Sequence, residues 1–219
     1  MADPRTTTPR ERYRSQVRAE IKERAWEQIA AAGASALSLN AIAKQMGMSG
    51  PALYRYFAGR DDLITELIRD AYRSLADAFA AAARAEPGLF GLAHTLRRWA
   101  LEDPQRYFLV YGTPVPGYHA PDDVTGIARE IMAALLDACA EQPAGAPAGS
   151  TASALDEHLA AHREWAGGHS APAAALSRAL TVWTRLHGVL SLELAGHFTG
   201  MGFDPAVLFA AELESVRSL

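Results

Sequence analysis

Tyr13, Val17, Ile21, Ala25 and Ile29 recur every four residues, and Arg14, Arg18, Lys22 and Arg24 fall between them. An apolar stripe of that period predicts an amphipathic helix, here ending near Gly33. Residues 38–57 then read as two short helices joined by a tight turn. Ile42, Ala43 and Met46 share one face, and Leu53 and Phe57, four apart, share another. Ser38 and Ser49 stand where a hydroxyl can accept from an orphan backbone N–H and cap a helix. Gly47 lies where the chain must reverse, a place that favours positive φ. Pro51 is tolerated because the first turn has no N–H partner to lose. With Leu53 and Phe57 facing inward, Tyr54, Arg55 and Tyr56 face out.

The rest of the chain keeps the helical period. Asp61 or Asp62 opens a longer helix, with an apolar stripe through Ile64, Ile68, Ala71, Tyr72, Leu75 and Phe79 as far as Pro87. Acidic residues suit that positive end. Residues 90–102 predict a helix around Phe90, Leu96 and Trp99; Asp103-Pro104 interrupts it, and Gln105–Tyr111 forms a short aromatic one. Pro114, Pro116, Gly117 and Pro121 break the chain before a helix over 123–141. Residues 142–150, Gln-Pro-Ala-Gly-Ala-Pro-Ala-Gly-Ser, have the composition of a flexible linker. A short helix over 151–166 ends at Gly167 and Gly168. From Pro172 to about Phe198 runs the most apolar segment, and a last helix spans Pro205 to about Val216. No alternating, β-rich segment of useful length occurs. The expected fold is all-α.

A helix that is apolar on nearly every side must be covered on several faces. For residues 172–198 a second copy of the chain is the expected cover, with Leu190 near the centre of the interface. Charge divides the chain in the same place as the pattern. Residues 1–60 hold ten Lys or Arg against five Asp or Glu; residues 61–219 hold eleven against twenty. The total of −4 argues against a nonspecific polyanion binder, whereas the basic N-terminal part suits phosphates. One cysteine, Cys139, leaves no intrachain disulfide and fits a reducing cytoplasm. No apolar run is long enough to predict a membrane span, and the polar start lacks the apolar core of a secretion signal.

The pieces Ile42-Ala43, Gly47-Met48-Ser49, Leu53-Tyr54-Arg55-Tyr56-Phe57 and Arg60-Asp61-Asp62-Leu63 resemble the DNA-binding domain of the tetracycline-repressor (TetR) family of bacterial regulators. Trp183, His187 and Gly188 are similar to a W…HG signature of one branch. The resemblance implies a three-helix helix-turn-helix domain within residues 1–60 and an all-helical ligand-binding and dimerisation domain within 61–219. It implies phosphate contacts from Ser38, Tyr54, Tyr56 and Arg60, which set register but read no sequence. Base reading would fall to Ser49, Gly50, Pro51, Ala52 and Arg55. Gly50, Pro51 and Ala52 offer no side-chain hydrogen bonds, so thymine-methyl contacts and guanine reading by Arg55 are what remain. Arg5, Arg10 and Arg12 could add minor-groove contacts or form a solvated tail.

Several residues carry two readings. Trp99, Tyr107, Phe108 and Tyr111 either line an effector pocket or fill core. Trp183 and His187 join them as candidate ligand contacts, with a satisfied structural histidine as the plainer reading of His187. His158 and His162, four apart, could reach one metal, but no third ligand stands at characteristic spacing. An exposed polar helix explains them better, and a helical metalloenzyme built on them is the contrasting function. No Gly-x-Ser-x-Gly elbow or phosphate-cradling loop occurs, so no enzyme and no cofactor is expected. The expected protein is a cytoplasmic, ligand-responsive regulator, a repressor, that binds palindromic double-stranded DNA as a homodimer and answers to a small, largely apolar effector.

Overall fold

The computed structural model describes residues 8–112, 118–142 and 150–217, and every regular element among them is helical. Two compact units emerge: Met1–Asp70 with Phe108–Pro121, and Ala71–Tyr107 with Asp122–Leu219.

In the first unit, α1 spans Pro9–Ala32. It begins earlier than its apolar stripe because Thr8 and Glu11 form a capping box. Thr8 Oγ1 accepts from the Glu11 N–H at 3.2 Å, and the Glu11 carboxylate accepts from the Thr8 N–H at 2.8 Å. Val17, Ile21, Ala25 and Ile29 are buried as the period requires, but Tyr13 is 65% exposed: the first turns of α1 cover no core. α1 stops at Gly33 with φ 78°, followed by a short 3₁₀ turn, Ala34–Ala36. α2 spans Leu39–Gln45, α3 is a single turn over Gly50–Leu53, and α4 begins at Arg60 and runs to Ala85. Leu53, Phe57, Leu63, Ile64 and Leu67 are wholly buried. Burying each such side chain stabilises the unit by roughly 1.5–3 kcal/mol. Charged residues tie the helices at the rim, Arg18 to Glu66 at 3.1 Å and Lys22 to Asp70 at 2.5 Å.

The second unit holds the rest of α4, then α5 (Leu89–Glu102), α6 (Pro104–Tyr111, as far as Tyr107), α7 (Asp122–Ala140), α8 (Ser150–Ala161), α9 (Ala173–Leu194) and α10 (Pro205–Arg217). α5, α7, α8 and α10 all pack on α9. That answers the apolar composition of α9: other helices of the same chain cover most of it. Leu190, expected at an interface between copies, is 0% exposed and belongs to this internal core. Among the positions that α9 leaves open are Thr184, Gly188 and Leu192, four apart, with Leu192 45% exposed.

Two arginines organise the unit, Arg178 buried and Arg97 half-buried. Arg178 of α9 donates to the carbonyl of Cys139 at 3.0 Å and of Gln142 at 3.5 Å, satisfying acceptors that the end of α7 leaves open. Arg97 of α5 forms a two-pronged ion pair with Glu193 of α9, one prong 2.8 Å long, and its guanidinium lies 5.3 Å from the Phe209 ring of α10. α8 ends at Ala161, short of the expected 166, and a 3₁₀ turn covers Glu164–Ala166. Arg163 redirects the chain there by donating to the carbonyls of His169 at 2.8 Å and Ala171 at 2.5 Å. Most of the linker expected over 142–150 lies outside the described residues.

Candidate nucleic-acid interface and buried polar cluster

The turn between α2 and α3 is built by local hydrogen bonds. Ser38 Oγ accepts from the Ala41 N–H at 3.3 Å and caps α2, while the Ser38 N–H donates to Gln28 Oε1 at 3.0 Å and fixes that cap against α1. The chain reverses at Gly47, φ 64°, and the Met48 N–H returns to the Ala43 carbonyl at 2.8 Å. Ser49 departs from expectation, because its side chain makes no capping bond. A cap side chain accepts from the second or third N–H of the helix. Here the second residue is Pro51, which has none, and the Ala52 N–H already donates to the Ser49 carbonyl at 3.0 Å. The Ser49 hydroxyl is therefore left at an exposed residue.

Around it the candidate DNA contacts divide by exposure. Ser49, Pro51, Tyr54 and Arg55 are exposed; Ser38, Gly50, Ala52, Tyr56 and Arg60 are half-buried. The Tyr56 ring lies 5.9 Å from the Arg14 guanidinium. Arg60 is engaged internally: it donates to the Ala34 carbonyl at 2.9 Å and pairs with Asp61 at 3.3 Å. Behind this surface, Arg18 lies 4.2 Å from the Phe57 ring and donates to the Tyr56 carbonyl. Sequence reading gave Arg18 only a place on a polar face. Its spacing from α1's apolar stripe was visible, but its partner, 38 residues away, was not.

In the second unit, Tyr107 is fully buried, and its hydroxyl lies 2.9 Å from His187 Nδ1 and 2.8 Å from Ser191 Oγ. Tyr107 has one proton to give, so at least one of these partners must donate to it. Burial lowers the His187 pKa from 6.5 to about 4, so the imidazole is neutral at pH 7. Burial likewise raises that of the Tyr107 phenol, against the hydrogen bond from Ser191 that lowers it. The Trp183 ring lies 4.2 Å from the His187 ring. Trp183 also borders a cavity of about 10 Å³ whose other walls, among them Phe79, Leu92, Leu96, Leu135 and Leu186, are all apolar.

The six candidate ligand residues are thus only partly brought together. Tyr107, Trp183 and His187 meet. Trp99 is engaged elsewhere, its indole N–H donating to Ser74 Oγ at 3.1 Å with the Arg106 guanidinium 4.4 Å from its ring. Phe108 and Tyr111 fall in the first unit. The missing signal was Ser191, which had no motif to announce it. Among the described residues no three His, Cys, Asp or Glu side chains are grouped to hold a metal, and no helix is long and apolar enough to cross a membrane.

A capped helix, a glycine turn and a short helix with exposed polar groups, followed by a larger all-helical part, define a helix-turn-helix transcriptional regulator. Comparison with known proteins makes the class specific. Residues 21–67 match the model of bacterial regulatory proteins of the tetR family, and residues 89–216 that of the tetracyclin repressor-like C-terminal domain. The chain belongs to the TetR family of transcriptional regulators. It is 35% identical over 210 residues to the HTH-type transcriptional regulators Rv1816 of Mycobacterium tuberculosis and Mb1846 of Mycobacterium bovis, covering 91% of this chain and 90% of each relative. A crystal structure of SCO4313, described as a candidate regulatory protein, superposes with a TM-score of 0.86 at 69% identity, over 95% of this chain and 98% of that one. A protein of unknown function from Rhodococcus sp. RHA1 shares the fold, with a TM-score of 0.66 at 21% identity over 99% of this chain and 97% of that one.

Proposed function

We propose that the protein is a ligand-responsive repressor that acts in the cytoplasm as a homodimer on a palindromic operator. The observation that carries this reading is the surface around α3: Ser49, Pro51, Tyr54 and Arg55 exposed together on a turn whose inner side is anchored by Leu53 and Phe57. In this reading Arg55 reads guanine, while Ser49, Gly50, Pro51 and Ala52 face the base edges. Ser38, Tyr54, Tyr56 and Arg60 hold phosphates, and the DNA-reading domain lies within residues 1–60. Two such surfaces related by a two-fold axis would enter successive major grooves about 34–36 Å apart, which is why the operator should be palindromic.

Dimerisation falls to residues 61–219. The open strip of α9, Thr184, Gly188 and Leu192, together with Val207 of α10, 67% exposed, supports an interface there. No heavy atom beyond the neighbouring helix backbone lies within 4 Å of a Cβ built on Gly188, so a partner helix can approach closely. A small, largely apolar effector would be matched by the apolar walls beside Trp183, near Tyr107 and His187, but the cavity there, about 10 Å³, has room for about one water and must open to admit it. Trp99, Phe108 and Tyr111 are the remaining candidate contacts. If the effector binds better to a form with the wrong spacing between reading surfaces, operator affinity falls, and DNA must weaken effector binding by the same factor.

Selection from random duplex DNA tests the reading. The full chain should enrich an inverted repeat whose half-sites lie about one helical turn apart. Enrichment of no sequence, or of one unrepeated site, would overturn it.

A further inference from the structure

His158 and His162 are left unused by transcriptional regulation. They stand one turn apart where α8 ends, and both are exposed. The rings stack, with centroids 4.3 Å apart and planes 22° from parallel, so their in-plane lone pairs do not converge in this arrangement and chelation requires one imidazole to turn about its side-chain bonds. His162 Nδ1 lies 2.8 Å from the His158 carbonyl oxygen. A carbonyl can only accept, so Nδ1 carries the proton and the neutral ring keeps its lone pair on Nε2. Histidines that ligate metals are held in this way, with one nitrogen donating to a carbonyl or carboxylate and the other free to coordinate.

We propose that His158 and His162 form a two-imidazole chelate for a divalent late transition cation, Cu²⁺ before Ni²⁺ or Zn²⁺, with water at the remaining positions. Imidazole nitrogen suits these ions and not Mg²⁺ or Ca²⁺, which take oxygen, and copper stands at the top of the affinity order for nitrogen sites. No third His, Cys, Asp or Glu joins the pair among the described residues, so the site binds without forming a closed structural cage. His162 lies one residue past the end of α8, held by its N–H to the Leu159 carbonyl at 3.3 Å. Bridging it to His158 closes that last turn. Because the two rings are neighbours only when the turn is formed, the ion binds the folded chain and stabilises it. The proposal is independent of the DNA-binding reading.

The test uses the full chain, free of any purification tag and stripped with a chelator. It is titrated with Cu²⁺ by calorimetry and observed by electron paramagnetic resonance. One strong site per chain with two nitrogen ligands is expected, and Mg²⁺ should give no binding. His158→Ala and His162→Ala should each weaken that site by at least about tenfold, since the second imidazole no longer arrives at a high effective concentration. Cu²⁺ should raise the melting temperature of the parent chain and not of the double variant. Ala154→His placed in the His162→Ala chain should restore tight binding, because residue 154 stands four before His158 and is exposed. Equal affinity in the parent and the double variant would overturn the proposal and assign the ion to His94, His119, His169 or His197.

Discussion

The neutral His187 makes a quantitative prediction about acid. Its folded-state pKa is held at about 4, whereas in the unfolded chain it returns to about 6.5. Between those values the unfolded state binds the extra proton, so stability must fall as pH falls. The contribution is fully present above about pH 6.5, reduced by roughly 2 kcal/mol at about pH 5, and lost to the extent of about 3 kcal/mol below about pH 4. His187→Gln keeps a neutral, hydrogen-bonding side chain beside Tyr107 and removes the titration. At neutral pH the variant should be less stable, by roughly 1–3 kcal/mol, because the Tyr107 hydroxyl loses its fitted partner. Near pH 5 most of that gap should close. Urea unfolding at fixed protein concentration, followed by tryptophan emission, measures both differences. Trp183 reports on the site directly, with its ring 4.2 Å from that of His187. The other acid-sensitive groups are common to both chains and cancel in the comparison. Parallel stability profiles for the two proteins from neutral to acid pH would refute the reasoning, because His187 would then titrate alike in both states.

On the DNA side, Arg55→Ala should relax base preference at one position of each half-site, at a cost of about 1–3 kcal/mol per guanine contact, read across single-base operator variants. Equal weakening on every variant would make Arg55 a phosphate contact. Tyr54→Phe and Arg60→Ala should weaken operator and nonoperator DNA alike, and Arg60→Ala should lower the salt slope by about one. An unchanged slope would leave Arg60 with its internal partners, the Ala34 carbonyl and Asp61. Leu192→Glu should produce a monomer by light scattering and abolish operator binding, since burying a pair of like carboxylates costs several kcal/mol per charge. A dimer that still binds the operator would place the interface elsewhere.

Most helices were legible because their signals are local. Ser38, Gly47 and the spacing of Ile42, Leu53 and Phe57 specify the helix-turn-helix within 20 residues, and Pro205 marks a helix start that the structure repeats. The capping box of Thr8 and Glu11 is just as local, but it precedes the first buried position of α1 and no apolar pattern drew attention to it. Other features depend on partners far along the chain. Leu190 and Leu192 are equally apolar in sequence, and only the packing of α5, α7, α8 and α10 decides that one is internal and the other open. Ser49 shows a local rule failing for a local reason: the proline beside it removes the N–H it would have capped. Of the second site, Trp183 and His187 were visible as a pair, while Ser191 and the meeting with Tyr107 were not.

The Arg178 bond to the end of α7 also has a meaning in chain closure. The guanidinium clasps the chain where it leaves α7, so the residues between Gln142 and Arg178 form a loop whose two ends are already fastened. For a segment closed in this way, doubling its length costs only about 0.6 kcal/mol. Insertions or deletions between α7 and α8 should therefore leave α7 and α9 joined. The core of the second unit is insulated from sequence drift at that point by a single buried charge.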